Sequence, residues 1–157
     1  MKKNRRLIHV WAGIPLKDED MGEVRVKVKL TNAADEANAR RGLIKAEQVR
    51  SVTIEAMVDT GAVRCVIPLK VKEALGLATA FKKRAQFADG RAEEVDVSEP
   101  VLIELMGRPT YEDCFILGDE VLIGQTALES TDLFVDCVGG KLVPNPAHPN
   151  TAVLPIR

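Results

Sequence analysis

Aromatic side chains are scarce in this chain: 4% of 157 residues, with one Trp and one Tyr. That scarcity removes the ring platforms on which single-stranded nucleic acids stack. Charge of one sign is missing as well, since the net charge is −1. No broad basic field faces a phosphate backbone, and nucleic acid is excluded as a partner. Histidine is nearly absent, with only His9 and His148, both near the chain ends. A His-based metal site and a base for a thiol nucleophile such as Cys65 are therefore not expected. No metal or cofactor is called for. The three cysteines, Cys65, Cys114 and Cys137, are odd in number and widely spaced, unlike a disulfide framework or zinc knuckle. They read as buried small hydrophobes in a reducing compartment, hence a cytoplasmic protein. The apolar stretch from Leu7 to Leu16 is broken by His9 and Pro15. It is too short to span a bilayer, and it runs into Lys17-Asp18-Glu19-Asp20 without a leader cleavage pattern. No membrane partner is expected. No internal repeat is visible.

What is present fits one folded domain, with 46% hydrophobic and 29% charged residues. Residues 1–20 read as an N-terminal extension, 21–143 as the domain, and 144–157 as a proline-rich tail. Val24 to Leu30 alternates apolar and charged residues, the period of a half-buried strand. Residues 33–49 read as an inserted loop or short helix. Strands are expected at 52–58, 63–67, 81–87, 93–97, 101–105, 111–117, 133–137 and 141–143. Pro68 opens a short helix stopped by Gly76, and a second short helix covers Gln125 to Ser130. Asp89-Gly90 predicts a two-residue hairpin of type I′, and Gly107-Arg108-Pro109 a turn. Asp132 reads as exposed at a helix end, and Asp136 has no evident partner.

Two short motifs carry the chemistry. Asp59-Thr60-Gly61-Ala62 ends the apolar run Ile54 to Val58, which would hold a carboxylate at a rigid strand end. Gly61 permits a tight turn and lets its N–H approach that carboxylate without a Cβ in the way. Asp-Thr-Gly alone is also ordinary turn chemistry. The second motif, Leu122-Ile123-Gly124 leading into a helix, shifts the balance toward a site. Hydrolysis by an acid pair needs one carboxylate to take a proton from water while its partner gives one to the carbonyl oxygen. The chain holds one Asp-Thr-Gly, so two chains would have to meet to form such a pair.

These residues, with Cys65-Val66-Ile67-Pro68 and the Asp89-Gly90 hairpin, resemble the retropepsin family from about Val52 to Val143. Retropepsins are single-domain, homodimeric aspartic peptidases of retroviruses with cellular and bacterial relatives, and the small bacterial members are the nearest in kind. The resemblance implies a mostly β, single-domain, closed barrel of six or seven strands with short helices, forming a homodimer. It implies an aspartic endopeptidase in which Asp59 of each chain acts on water, without covalent intermediate or metal. Two such carboxylates about 3 Å apart share a proton, as aspartic proteases do as a class. Thr60 would brace the two loops, Ala62 would line the floor, and Ala88, Asp89, Gly90 and Arg91 would close as a flap over an extended peptide or protein substrate. Val63 and Gln125 stand where viral members carry an acidic residue and an Arg, and the hairpin lacks their Gly-rich tip. An alternative therefore stays open: a non-catalytic dimeric peptide-binding or interaction module on the same fold.

Overall fold

The computed structural model describes residues 7–8 and 23–157, and the rest of the expected extension 1–20 lies outside them. Residues Leu7–Ile8 form β1, and Arg25–Asn32 form β2. In β2 the charged Arg25, Lys27 and Lys29 are exposed while Val28 and Leu30 are buried. That is the two-residue alternation of a strand with one face on a core. Asn32 ends it and caps α1 (Ala33–Arg40), its Oδ1 accepting from Asp35 N at 3.1 Å. Acidic Asp35 and Glu36 in the first turn and Arg40 in the last complement the helix dipole. A single 3₁₀ turn, Ala46–Gln48, leads to β3 (Ser51–Val58). The expected strand over 63–67 shrinks to β4, Val66–Ile67, because residues 59–65 turn back on themselves. Next come α2 (Leu69–Ala74), with Pro68 at its N-cap and not in its first turn, then β5 (Thr79–Gln86) and β6 (Ala92–Ser98).

The β5–β6 connection differs from expectation. Phe87 N donates to Arg91 O at 2.7 Å and Gly90 N to Phe87 O at 2.9 Å, so the loop holds three residues, 88–90. Only Gly90 has positive φ (85°), which is a three-residue turn closed by a left-handed glycine and not type I′. Asp89 serves that turn by accepting from Arg91 N at 2.9 Å. The I′-like two-residue turn lies elsewhere, at Met106-Gly107, both at positive φ, joining β7 (Val101–Leu105) to β8 (Arg108–Glu112). Arg108 and Pro109 thus belong to a strand. Pro109 is tolerated because β8 ends the sheet, where one side needs no N–H.

The run 111–117 is not one strand either. It breaks at Asp113-Cys114, and β9 (Phe115–Ile116) crosses to pair with β4 and β6. After β10 (Leu122–Ile123) and α3 (Gln125–Thr131) come β11 (Leu133–Asp136) and β12 (Lys141–Pro144). Asp136 accepts from Gly139 N at 2.9 Å inside the β11–β12 turn. Nine strands form one sheet in the order β5-β6-β9-β4-β10-β3-β2-β7-β8, and β1-β11-β12 form a second. The chain is mostly β, and among the described residues the nine-stranded ladder has no pairing between its end strands β5 and β8. The residues of β5 are almost all exposed, and it extends as an arm.

The core gathers Val28, Leu30, Val58, Ile103, Leu105, Ile123, Leu128 and Val135, each nearly or fully buried. Each such side chain contributes about 1.5–3 kcal/mol relative to exposure. Val58, just before Asp59, and Ile123, inside the second motif, lie in it, so the motifs sit on a rigid base.

The tail beyond Pro144 folds back on its own chain. Asp132, expected at the surface, is buried at the left-handed C-cap of α3. Its carboxylate accepts from Asn145 Nδ2 (2.9 Å) and Val153 N (3.1 Å), and His148 Nδ1 lies 2.7 Å away. The buried Arg108 guanidinium donates to the carbonyls of Thr131, Asp132 and His148. Among the described residues no helix is long and apolar enough to cross a membrane.

Candidate active site

The two motifs meet through a parallel pairing that neither strand specifies alone. In register, β10 lies beside β3, with Leu122 opposite Met57 and Ile123 opposite Val58. Asp59 N donates to Ile123 O at 2.9 Å, so the second motif fixes the backbone at the carboxylate. Beyond Gly124 the chain enters α3, and its first N–H groups reach the turn after Asp59. Gln125 N donates to Ala62 O at 2.8 Å and Thr126 N to Val63 O at 3.0 Å. Helix-start donors, otherwise unpaired, are thereby satisfied by the carbonyls of the Asp59 loop.

Both motif glycines are used for close approach. A Cβ on Gly124 would lie 2.6 Å from the carbonyl carbon and oxygen of Arg64 and 2.9 Å from Ala62 O. At Gly61 a Cβ would come within 3.2 Å of Asp59 Oδ1, and Gly61 N donates to that oxygen at 3.0 Å. Asp59, Thr60 and Ala62 are half-buried, while Gly61 and Val63 are exposed, Val63 at 63%. The carboxylate therefore sits at the surface of this chain on a loop pinned from behind.

Ala88, Asp89, Gly90 and Arg91 lie exposed at the tip of the β5–β6 arm. There the Arg91 guanidinium sits 4.6 Å from the Phe87 ring centroid, a cation–π contact. The arm joins the Asp59 loop through the ladder, Val97 opposite Phe115 and Phe115 opposite Val66. A surface cavity of about 230 Å³ opens between Arg64, Phe81, Ser98 and Tyr111, and its lining includes neither Asp59 nor the arm tip.

Sequence reasoning missed Glu112. Its side chain is 3% exposed, and Oε1 accepts from Cys65 N at 2.8 Å and from Thr126 Oγ1 at 3.0 Å. Arg64 pairs with Asp113 and stands 3.7 Å from the same Glu112 oxygen. The signal available was the polar pair Glu112-Asp113 interrupting an apolar run. Cys65 is buried, and desolvation, with the Glu112 charge adding to it, pushes its thiol up to about 12. Such a thiol is not a ready nucleophile. Among the described residues no three His, Cys, Asp or Glu side chains converge as metal ligands.

A protein-family model described as aspartyl protease matches residues 46–107. The match spans the strand that delivers Asp59 and the β5–β6 arm, and it ends before Leu122-Ile123-Gly124. The pairing of the two motifs is thus an observation independent of the family match. No curated protein matches the chain.

Proposed function

We propose, on the premise that residues 46–107 are an aspartyl protease family segment, that this chain is an aspartic endopeptidase completed by a second copy of itself. The observation that carries the reading is the junction of the two motifs: Asp59 N on Ile123 O, with Gly124 packed against Arg64 and Ala62. It holds one carboxylate rigidly at a surface, as half of an acid pair requires.

In the proposed dimer, Asp59 of each chain faces its counterpart, and one proton is shared between them. The ionised member draws a proton from water as the water attacks the peptide carbonyl. The protonated member donates to the carbonyl oxygen, then the roles reverse as the amine leaves. The Gly61 N–H, already donated to Asp59 Oδ1, fixes the position of that oxygen. Thr60 braces the opposing loop, Ala62 forms the floor, and the arm tip 88–91 folds over an extended peptide.

Incubation with an unbiased peptide library across acidic to neutral pH tests this, beside an Asp59→Asn control. Cleavage by the wild type and none by a folded Asp59→Asn is the expected result. Equal cleavage by both removes Asp59 from the chemistry. Exposed Val63, where an acid is expected for substrate binding, favours a second reading: a dimeric peptide-binding module without catalysis. A statine-type inhibitor separates the two, because tight binding needs the shared-proton pair and a bare groove does not.

A further inference from the structure

We propose that Glu112 is a positioning residue for the Asp59 loop, its buried carboxylate tying Cys65 to Thr126 across the junction of the two motifs. The proposal rests on the peptidase reading for its consequence, though not for its geometry. Glu112 comes from the end of β8, the edge strand at the far end of the ladder from the arm. It reaches the junction because the chain leaves the edge at Asp113 and crosses to β9. A single oxygen, Oε1, there accepts from Cys65 N and Thr126 Oγ1. Those two donors follow different motifs: Cys65 closes the loop that Asp59 opens, and Thr126 lies in the first turn after Gly124. Thr126 Oγ1 is also 2.9 Å from Val63 O, but that carbonyl already takes Thr126 N–H. The hydroxyl proton is better used on the carboxylate, the stronger acceptor.

Stability alone does not account for this residue. Burying a carboxylate is costly, and an apolar side chain of similar volume commonly stabilises as much or more. What the carboxylate adds is direction. It holds Cys65 from behind while the backbone bonds from Gln125 and Thr126 hold Ala62 and Val63. The loop is then fixed at both ends, and the Asp59 carboxylate keeps one orientation. Without Glu112 the loop retains the helix-start bonds and the bond from Phe115 N to Cys65 O, and loses the tie between Cys65 N and Thr126 Oγ1.

The test uses the full chain and three variants, Glu112→Leu, Glu112→Gln and Thr126→Val. Amide hydrogen exchange is read beside steady-state cleavage per folded molecule of a peptide found in the library. For Glu112→Leu, kcat falls about tenfold with KM within about threefold, the pattern of a lost transition-state alignment. Exchange at residues 60–63 quickens about tenfold while β2 and β7 stay unchanged. Glu112→Gln, which keeps an acceptor oxygen, recovers most of the loss. If Glu112→Leu does not fold, Thr126→Val removes one side of the bridge and is expected to act in the same direction. Exchange rising equally in β2, β7 and the loop, or a loop whose exchange does not change, overturns the proposal. A wild type that cleaves no peptide sinks the peptidase reading instead, and the exchange measurements still decide whether Glu112 holds the loop.

Discussion

Replacing Gly124 by alanine tests the junction of the two motifs most directly. Its backbone lies at φ −89° and ψ 176°, a conformation open to alanine, so no torsional strain enters. On chain entropy alone the change would stabilise by about 0.4–1 kcal/mol. The new Cβ, however, would sit 2.6 Å from the carbonyl of Arg64 and 2.9 Å from Ala62 O, and these are backbone atoms. No side chain can swing aside to relieve the contact. Ordinary contact begins at 3.4 Å, so the loop must retreat by roughly 0.8 Å. That retreat stretches the bonds Gln125 N to Ala62 O (2.8 Å) and Thr126 N to Val63 O (3.0 Å) beyond hydrogen-bond range. Two lost backbone bonds cost about 2 kcal/mol, and after the entropic gain a net loss of about 1–2 kcal/mol remains. Urea unfolding followed by far-UV circular dichroism should show the midpoint falling by about 0.5–1 M at unchanged slope. Cleavage should fall further than stability, because Asp59 N is bonded in the same junction. Gly61→Ala provides the contrast. Its Cβ meets only the Asp59 carboxylate, at 3.2 Å, so it should disturb activity with little effect on the midpoint. A Gly124→Ala midpoint within about 0.2 M of wild type would refute the reasoning, since the loop would then be free to move.

Three further outcomes are expected. Amides at 88–91 should exchange faster than those of β3 and β7, and a peptide-like inhibitor should slow them; equal rates with and without inhibitor argue against a closing arm. Specific activity should drop on dilution in step with dimer dissociation measured by sedimentation, and a chain that cleaves while monomeric at high micromolar concentration ends the shared-site mechanism. Burial raises the Asp132 carboxyl, but hydrogen bonds from Asn145, Val153 N–H and His148 outweigh it and hold the group below the usual range. Its contribution to stability is therefore present above the unfolded value of about 3.9 and is lost as pH falls through the lower folded value. Asp132→Asn should flatten the acid limb of a melting-temperature series from pH 7 to 2. A variant whose limb is as steep as wild type would place the acid sensitivity in other carboxylates.

The sequence by itself determined what depends on near neighbours. Alternation located β2, and the apolar runs over 101–105 and up to Asp59 located β7 and β3, because such local patterns need no knowledge of the partner strand. Gly61 was legible as a tight position beside a carboxylate, and Gly124 as a helix entry. Turn type was not fully legible. Asp89-Gly90 carries the I′ signal, yet the register Gln86 opposite Ala92, continued by Phe87 N on Arg91 O, leaves three residues to the loop. Met106 takes a positive φ that its own side chain disfavours, because the pairing of β7 with β8 demands it. Tertiary structure alone decided which distant residues share a site. The parallel β3–β10 pairing, the crossing of the chain at Asp113 and the return of the tail to Asp132 join residues 13 to 65 positions apart. Buried polar groups must find partners wherever the fold brings them, and a linear pattern holds no record of that distance. Hence Glu112 passed as one position of an expected strand and Asp132 as an exposed helix end, until the packing around each gave it donors.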